Sequence, residues 1–101
     1  LNPKKLPVIL MGDFNCEPHS EPIKAISSVL HDGITLSKTN LIGPIGTFSG
    51  FDLNAPLNKR IDYIFVDKFI VESYLHINSK LPNGHWPSDH LPVLTKLKIE
   101  N

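Results

Sequence analysis

Arg60-Ile61-Asp62-Tyr63-Ile64-Phe65-Val66 sets one carboxylate inside a run of aromatic and β-branched residues. Such residues favour a well-buried strand. In that setting Asp62 is an anomaly, because an unpartnered carboxylate would lose several kcal/mol, about 2–7 or more, on leaving water. Its open partners are a buried ion pair with Lys59 or Arg60, a histidine, or a metal ion. Arg60, two residues away, lies on the same face of the strand as Asp62.

Outward from this stretch, Val8-Ile9-Leu10-Met11 is short, apolar on both faces and closed by Gly12. It reads as a central strand covered on two sides. Ile23, Ile26, Val29 and Leu30 recur at helical spacing, which predicts a helix over Glu21 to Leu30 with Ser20 as N-cap, Pro22 in the first turn and Gly33 beyond its end. Glycine and proline between Leu41 and Asn58 predict loops around a short extended piece at Thr47-Phe48. Phe69, Val71, Leu75 and Ile77 alternate with Glu72, Tyr74, His76 and Asn78, the pattern of a strand with one wetter face. Leu81 to Pro87 reads as a loop, and Val93 to Glu100 as a terminal strand with a solvated side.

The chain has 101 residues, 41% of them hydrophobic, which allows at most one globular domain. Ten basic residues balance ten acidic ones, so bulk charge does not hold a polyanion. The single cysteine, Cys16, excludes an internal disulfide and a multi-cysteine zinc module. No apolar run approaches the ~20 residues that span a bilayer. No secretory signal pattern opens the chain, and a start at Leu1 without methionine leaves room for a segment upstream.

Two further segments carry chemistry. Gly12-Asp13-Phe14-Asn15 places a carboxylate and an amide two residues apart after an apolar strand. In an extended continuation both would point the same way, towards a water and a phosphate; alternatively they end the strand through an Asx-turn. Ser88-Asp89-His90 sets an acid and an imidazole at the mouth of the last strand, and histidine is the usual acid or base near neutral pH. His85, Asp89 and His90 are also zinc-ligand types, without helical spacing or a cysteine in support. His19, His31 and His76 read as surface or loop residues, and Cys16 as a packed small side chain.

Taken in order, Gly-Asp-Phe-Asn after a strand, Arg60-Ile61-Asp62-Tyr63-Ile64-Phe65 and Ser88-Asp89-His90-Leu91-Pro92-Val93 resemble the endonuclease/exonuclease/phosphatase superfamily. Gly46-Thr47-Phe48 looks like that family's short strand before the Asp-containing one. The family includes pancreatic-type deoxyribonucleases, abasic-site endonucleases, deadenylases, neutral sphingomyelinases and inositol-phosphate phosphatases. Leu91-Pro92-Val93 looks more like its deadenylase-like and bacterial hydrolase branches.

The resemblance implies an α/β fold, a four-layer αββα sandwich with mixed sheets and a flanking helix. Residues 1–101 look like the C-terminal portion of one such domain. The family's first half supplies an early Asn, a metal-binding Glu and often a Tyr and a further His, none of which has a counterpart before Leu1. By resemblance, Asp13 orients or activates the attacking water and Asn15 donates to a phosphate oxygen. His90 contacts the scissile phosphate, Asp62 holds the imidazole, and Asp89 with Asp13 binds Mg²⁺ or Mn²⁺. The implied function is metal-dependent phosphate-ester hydrolysis, incomplete in this chain alone; the alternative is a non-catalytic structural or interaction fragment. Trp86 and Phe51 read either as stacking platforms for a base or sugar or as loop packing, with packing favoured.

A half-sandwich would also expose the inner face of the strands Val8 to Met11 and Ile61 to Val66. About 400–600 Å² of apolar surface at ~25 cal/mol per Å² is about 10–15 kcal/mol. The expected partner is therefore the domain's N-terminal half, or a second copy over the same face.

Overall fold

The computed structural model describes residues 2–101. Five strands and two short helices follow in the order β1 (Val8–Asp13), α1 (Glu21–Ser27), β2 (His31–Asp32), α2 (Gly33–Leu36), β3 (Asp62–Asp67), β4 (Phe69–His76) and β5 (Val93–Ile99). One sheet runs β1-β3-β2 and the second pairs β4 with β5. All named ladders are antiparallel, and the parallel part of the expected mixed sheet is the single bridge from Ile42 to Leu75.

Alternation along β3 builds the layers. Tyr63 and Phe65 point to one side and pack with Ile23 of α1, backed by Phe14, Ile26 and Leu30. Ile64 and Val66 point to the other side, onto Val71 and Tyr74 of β4 with Val93 and Leu97 of β5. The order helix, sheet, sheet gives three of the four layers of the implied sandwich, each sheet with few strands. Phe65 and Val66 are wholly buried, and each such side chain contributes about 1.5–3 kcal/mol.

Several details depart from the sequence reading. β1 is an edge strand, paired with β3 alone, and not a strand covered on two sides. The register sets Ile9 opposite Val66 and Met11 opposite Ile64, on the face turned to the second sheet. That sheet covers β3 and stops short of β1, so Met11 is 68% and Ile9 47% exposed. Ile61 to Val66, expected to face water, is instead covered on both sides, and the exposed apolar strand surface of the first sheet belongs to β1. The helix ends at Ser27; Val29 and Leu30 both donate to the Ile26 carbonyl, tightening the last turn before the chain enters β2. Ser20 is the N-cap by position, but its hydroxyl donates back to the Glu17 carbonyl at 2.6 Å.

His76 is the largest revision. A β-bulge between Val71 and Ser73 inserts Glu72 and reverses the phase of β4, so Val71, Tyr74 and His76 all face inward. Expected at the surface, His76 is 2% exposed. Its Nδ1 lies 2.8 Å from the Pro44 carbonyl, and its buried Nε2 has no hydrogen-bond partner among the described residues. Gly43 makes this clamp fit, since a Cβ there would lie 2.0 Å from the His76 carbonyl oxygen, at a φ of +106°.

Burial pushes the His76 imidazole below its ordinary value of 6.5, against the Pro44 hydrogen bond that raises it. The unfolded chain therefore binds more protons than the folded one between the two pKa values, and stability falls as pH drops below about 6.5. A melting series in the full-length protein should show that slope, and His76→Leu should flatten it; an unchanged slope would place the acid sensitivity elsewhere.

Candidate active site

The β1–β3 register places Asp13 directly across from Asp62. Both therefore share the face of Ile64 and Val66, which points between the sheets. His90 arrives from the loop before β5, where its backbone bridges antiparallel to Phe48. Its Nδ1 lies 2.8 Å from Asp62 Oδ2, and its Nε2 lies 3.6 Å from Asp13 Oδ2. The anomalous carboxylate thus has an imidazole partner. Arg60 is taken by Asp32, with Nη1 donating to Oδ1 at 3.1 Å and Nη2 to Oδ2, and its guanidinium lies 4.4 Å from the centre of the Tyr63 ring.

Local packing holds each member. Phe14 donates its N–H to the Ile61 carbonyl and turns its ring edge-on to Tyr63 and Phe65 on the helix side, so the preceding Asp13 projects to the opposite face. Tyr63 hydroxyl shares its proton between the carbonyls of Cys16 and Arg60, tying the loop after β1 to β3. Cys16 packs beside this cluster, as its sequence reading holds. Thr47, wholly buried, accepts the N–H groups of both Ile61 and Asp62 on its Oγ1. Phe48 sets its ring edge-on to His90 at 5.2 Å. Neither Thr47 nor the Arg60–Asp32 pair carries a local sequence signal of this positioning role beyond the Gly46-Thr47-Phe48 piece.

Asp13, Asp62 and His90 bring one donor atom each within 4.8 Å of one another, and this Asp/Asp/His cluster is a candidate divalent-metal site. The Asp62 carboxylate only accepts, so a neutral His90 carries its proton on Nδ1 and leaves Nε2 free to accept one. The hydrogen bond to Asp62 raises the His90 pKa above 6.5; burial opposes it, and the charges of Asp62, Asp13 and Asp89 add to it.

Other expected site residues lie apart from this cluster. The Asp89 side chain is not among its converging donors, and its carbonyl accepts from Ser49 and Gly50. Of the two readings of Asp13 and Asn15, an extended continuation and an Asx-turn, the turn is the one that forms. With φ at +50° Asn15 leaves the strand, and its N–H donates to Asp13 Oδ1 at 2.8 Å. Its side chain borders a neighbouring cleft. His85 is exposed and outside the cluster, so the His85, Asp89 and His90 zinc set does not form among the described residues. Trp86 packs, with its indole N–H on the Asp52 carbonyl at 3.0 Å, whereas Phe51 is 61% exposed.

The sequence matches the model of the Endonuclease/Exonuclease/phosphatase family over residues 1–90. The CCR4-Not complex 3'-5'-exoribonuclease subunit Ccr4 of Kluyveromyces lactis is 26% identical over 125 residues, covering 95% of this chain and 16% of that protein. Among solved structures, a functionally unknown conserved protein from Enterococcus faecalis is similar with a TM-score of 0.88 and 31% identity, over 96% of this chain and 38% of the other. A mannosyl-6-phosphatase from Bacteroides thetaiotaomicron gives 0.85 and 34%, over 96% and 39%. An endonuclease/exonuclease/phosphatase family protein from the same organism gives 0.82 and 36%, over 94% and 38%.

The Asp62 bond makes a spectroscopic prediction. In a histidine NMR titration of the full-length protein, Asp62→Asn should move the His90 midpoint down towards 6.5, because the accepting charge is lost while the hydrogen-bonding shape remains. A midpoint that stays put would show that Asp62 does not set it.

Proposed function

Because the chain belongs to the endonuclease/exonuclease/phosphatase family, we propose that Asp13, Asp62 and His90 form the centre of a metal-dependent phosphate-ester hydrolase. This chain would be the C-terminal portion of its domain. The observation that carries the reading is the imidazole held between two carboxylates, at 2.8 Å from Asp62 and 3.6 Å from Asp13. In the reaction a water oxygen bonds to phosphorus and the ester P–O bond breaks. The leaving oxygen takes a proton to become an alcohol, and the water's own proton passes to a base. Asp13 orients or activates that water, Asn15 donates to a phosphate oxygen, and His90 contacts the scissile phosphate while Asp62 fixes its ring.

The donor chemistry fits a hard divalent cation, Mg²⁺ or Mn²⁺. Carboxylate oxygens are its preferred ligands, and three carboxylates act electrostatically on this one imidazole. Of the converging donors Asp13 would hold the ion, joined by Asp89 from outside the cluster, and the ion would offset charge on the phosphate oxygens. The test is turnover of 4-nitrophenyl phosphate and its bis ester by the full-length protein. Chelation should abolish it, and Asp62→Asn should cut kcat about tenfold or more with the fold intact. Unchanged turnover in Asp62→Asn would reject the assignment.

The open edge of β1 bears on what this chain needs. It spans less than two-fifths of the similar solved structures, and Ile9, Leu10 and Met11 are all exposed. We propose that the remainder of the domain, or in its absence a second copy, covers this strand. The isolated 101-residue chain should sediment as an oligomer and return to a heterodimer when a complementing N-terminal half is added. A stable, cooperatively melting monomer would overturn this.

A further inference from the structure

Beside the Asp13, Asp62 and His90 cluster lies a second cleft of about 610 Å³, bordered by Asn15, Glu17, Pro18, His19, Ile45 and Asn58. It meets the reaction centre at Asn15, whose N–H is bonded to the Asp13 carboxylate. Asn15 thus links the cleft to the reaction centre.

The cleft's chemistry is specific in three ways. The side chains of Asn15, Glu17, His19 and Asn58 are exposed and make no hydrogen bond to other described residues, so their donors and acceptors are open to a ligand. Its one strong cation, Arg60, is buried and bonded to Asp32, which leaves Glu17 as the free charge and disfavours a second phosphate. Among the described residues the only aromatic ring on its border is the imidazole of His19, which leaves a nucleobase without the broad aromatic platform that single-strand binders use. Ile45, 71% exposed, and Pro18 instead offer aliphatic surface to a C–H face.

Amides and a carboxylate that can pair with vicinal hydroxyls, aliphatic surface and no spare cation together describe a site for a neutral polyol. We propose that this cleft is the leaving-group subsite for a sugar phosphate monoester, with Glu17 and Asn58 determining specificity. This rests on the phosphoester reading above. Hydrolysis there breaks the P–O ester bond, releasing inorganic phosphate and the sugar with its hydroxyl restored.

The test uses the full-length protein with Mg²⁺ and three probes: mannose 6-phosphate, 4-nitrophenyl phosphate and the dinucleotide pApA. Mannose 6-phosphate should be hydrolysed with higher kcat/KM than pApA. Glu17→Gln and Asn58→Ala should each raise its KM about tenfold, the scale of one or two lost hydrogen bonds. Their turnover of 4-nitrophenyl phosphate should stay at the wild-type rate, which also reports an intact fold. Variants that handle mannose 6-phosphate like wild type, or a preference for pApA, would overturn the proposal. If no ester is turned over, the phosphoester reading fails by itself, and the cleft is then judged by saturation-transfer NMR with methyl mannoside. A signal lost in Asn58→Ala supports the subsite; no signal in wild type, or one that survives in Asn58→Ala, overturns it.

Discussion

A carboxylate at the start of a strand buried on both faces must be paired, and the bond from Asp62 to His90 meets that demand. It joins the first sheet to the loop that launches β5 in the second. The pairing that removes an electrostatic cost from the fold also fixes the tautomer and direction of an imidazole. Asp13 follows from the same constraint, since the antiparallel register that covers one edge of β3 sets it opposite Asp62. Burial, register and chemistry therefore meet at three side chains drawn from widely separated parts of the chain.

The long segment before β3 has little regular structure of its own and is held by polar contacts. Arg60 is anchored by Asp32, which also accepts the Ile34 N–H at the start of α2. Thr47 receives two strand N–H groups on one hydroxyl and exchanges backbone bonds with Lys59 and Leu91. Removing one member of a buried ion pair costs about 3–5 kcal/mol because the other is left uncompensated. These contacts anchor the loop at both ends, and it holds Phe48 against the His90 ring.

Much of this is legible in the sequence. The strand cores of β1, β3 and β5 and the start of α1 follow from hydropathy period, the misplaced charge of Asp62 calls for a partner, and the resemblance carried by three ordered motifs implies that this partner is His90. What was not legible was non-local. Arg60, two residues from Asp62, was the nearest salt-bridge candidate, yet it pairs with Asp32, 28 positions away. For Asp13 and Asn15 the local pattern allows either an extended continuation or an Asx-turn, and the turn forms. The coverage of β1 depended on how far the second sheet extends, which no local pattern encodes.

β4 owes its inner face to a count and not only to a composition. Up to Val71 the inward positions are odd-numbered, and from Tyr74 they are even-numbered, because Glu72 is the one residue of the strand without a partner in β5. Tyr74 then reaches β3 with its hydroxyl, accepting the Ile64 N–H at 3.1 Å, and fits only because Gly33 has no Cβ. Over evolutionary time this segment is free to drift in side chains along its outer face while residue 72, if present, must stay out of the ladder. Absorbing Glu72 into a regular ladder would turn Tyr74 and His76 out of the interior and bring Ser73 and Leu75 in, whereas deleting Glu72 alone would erase the bulge and leave Tyr74 and His76 inward.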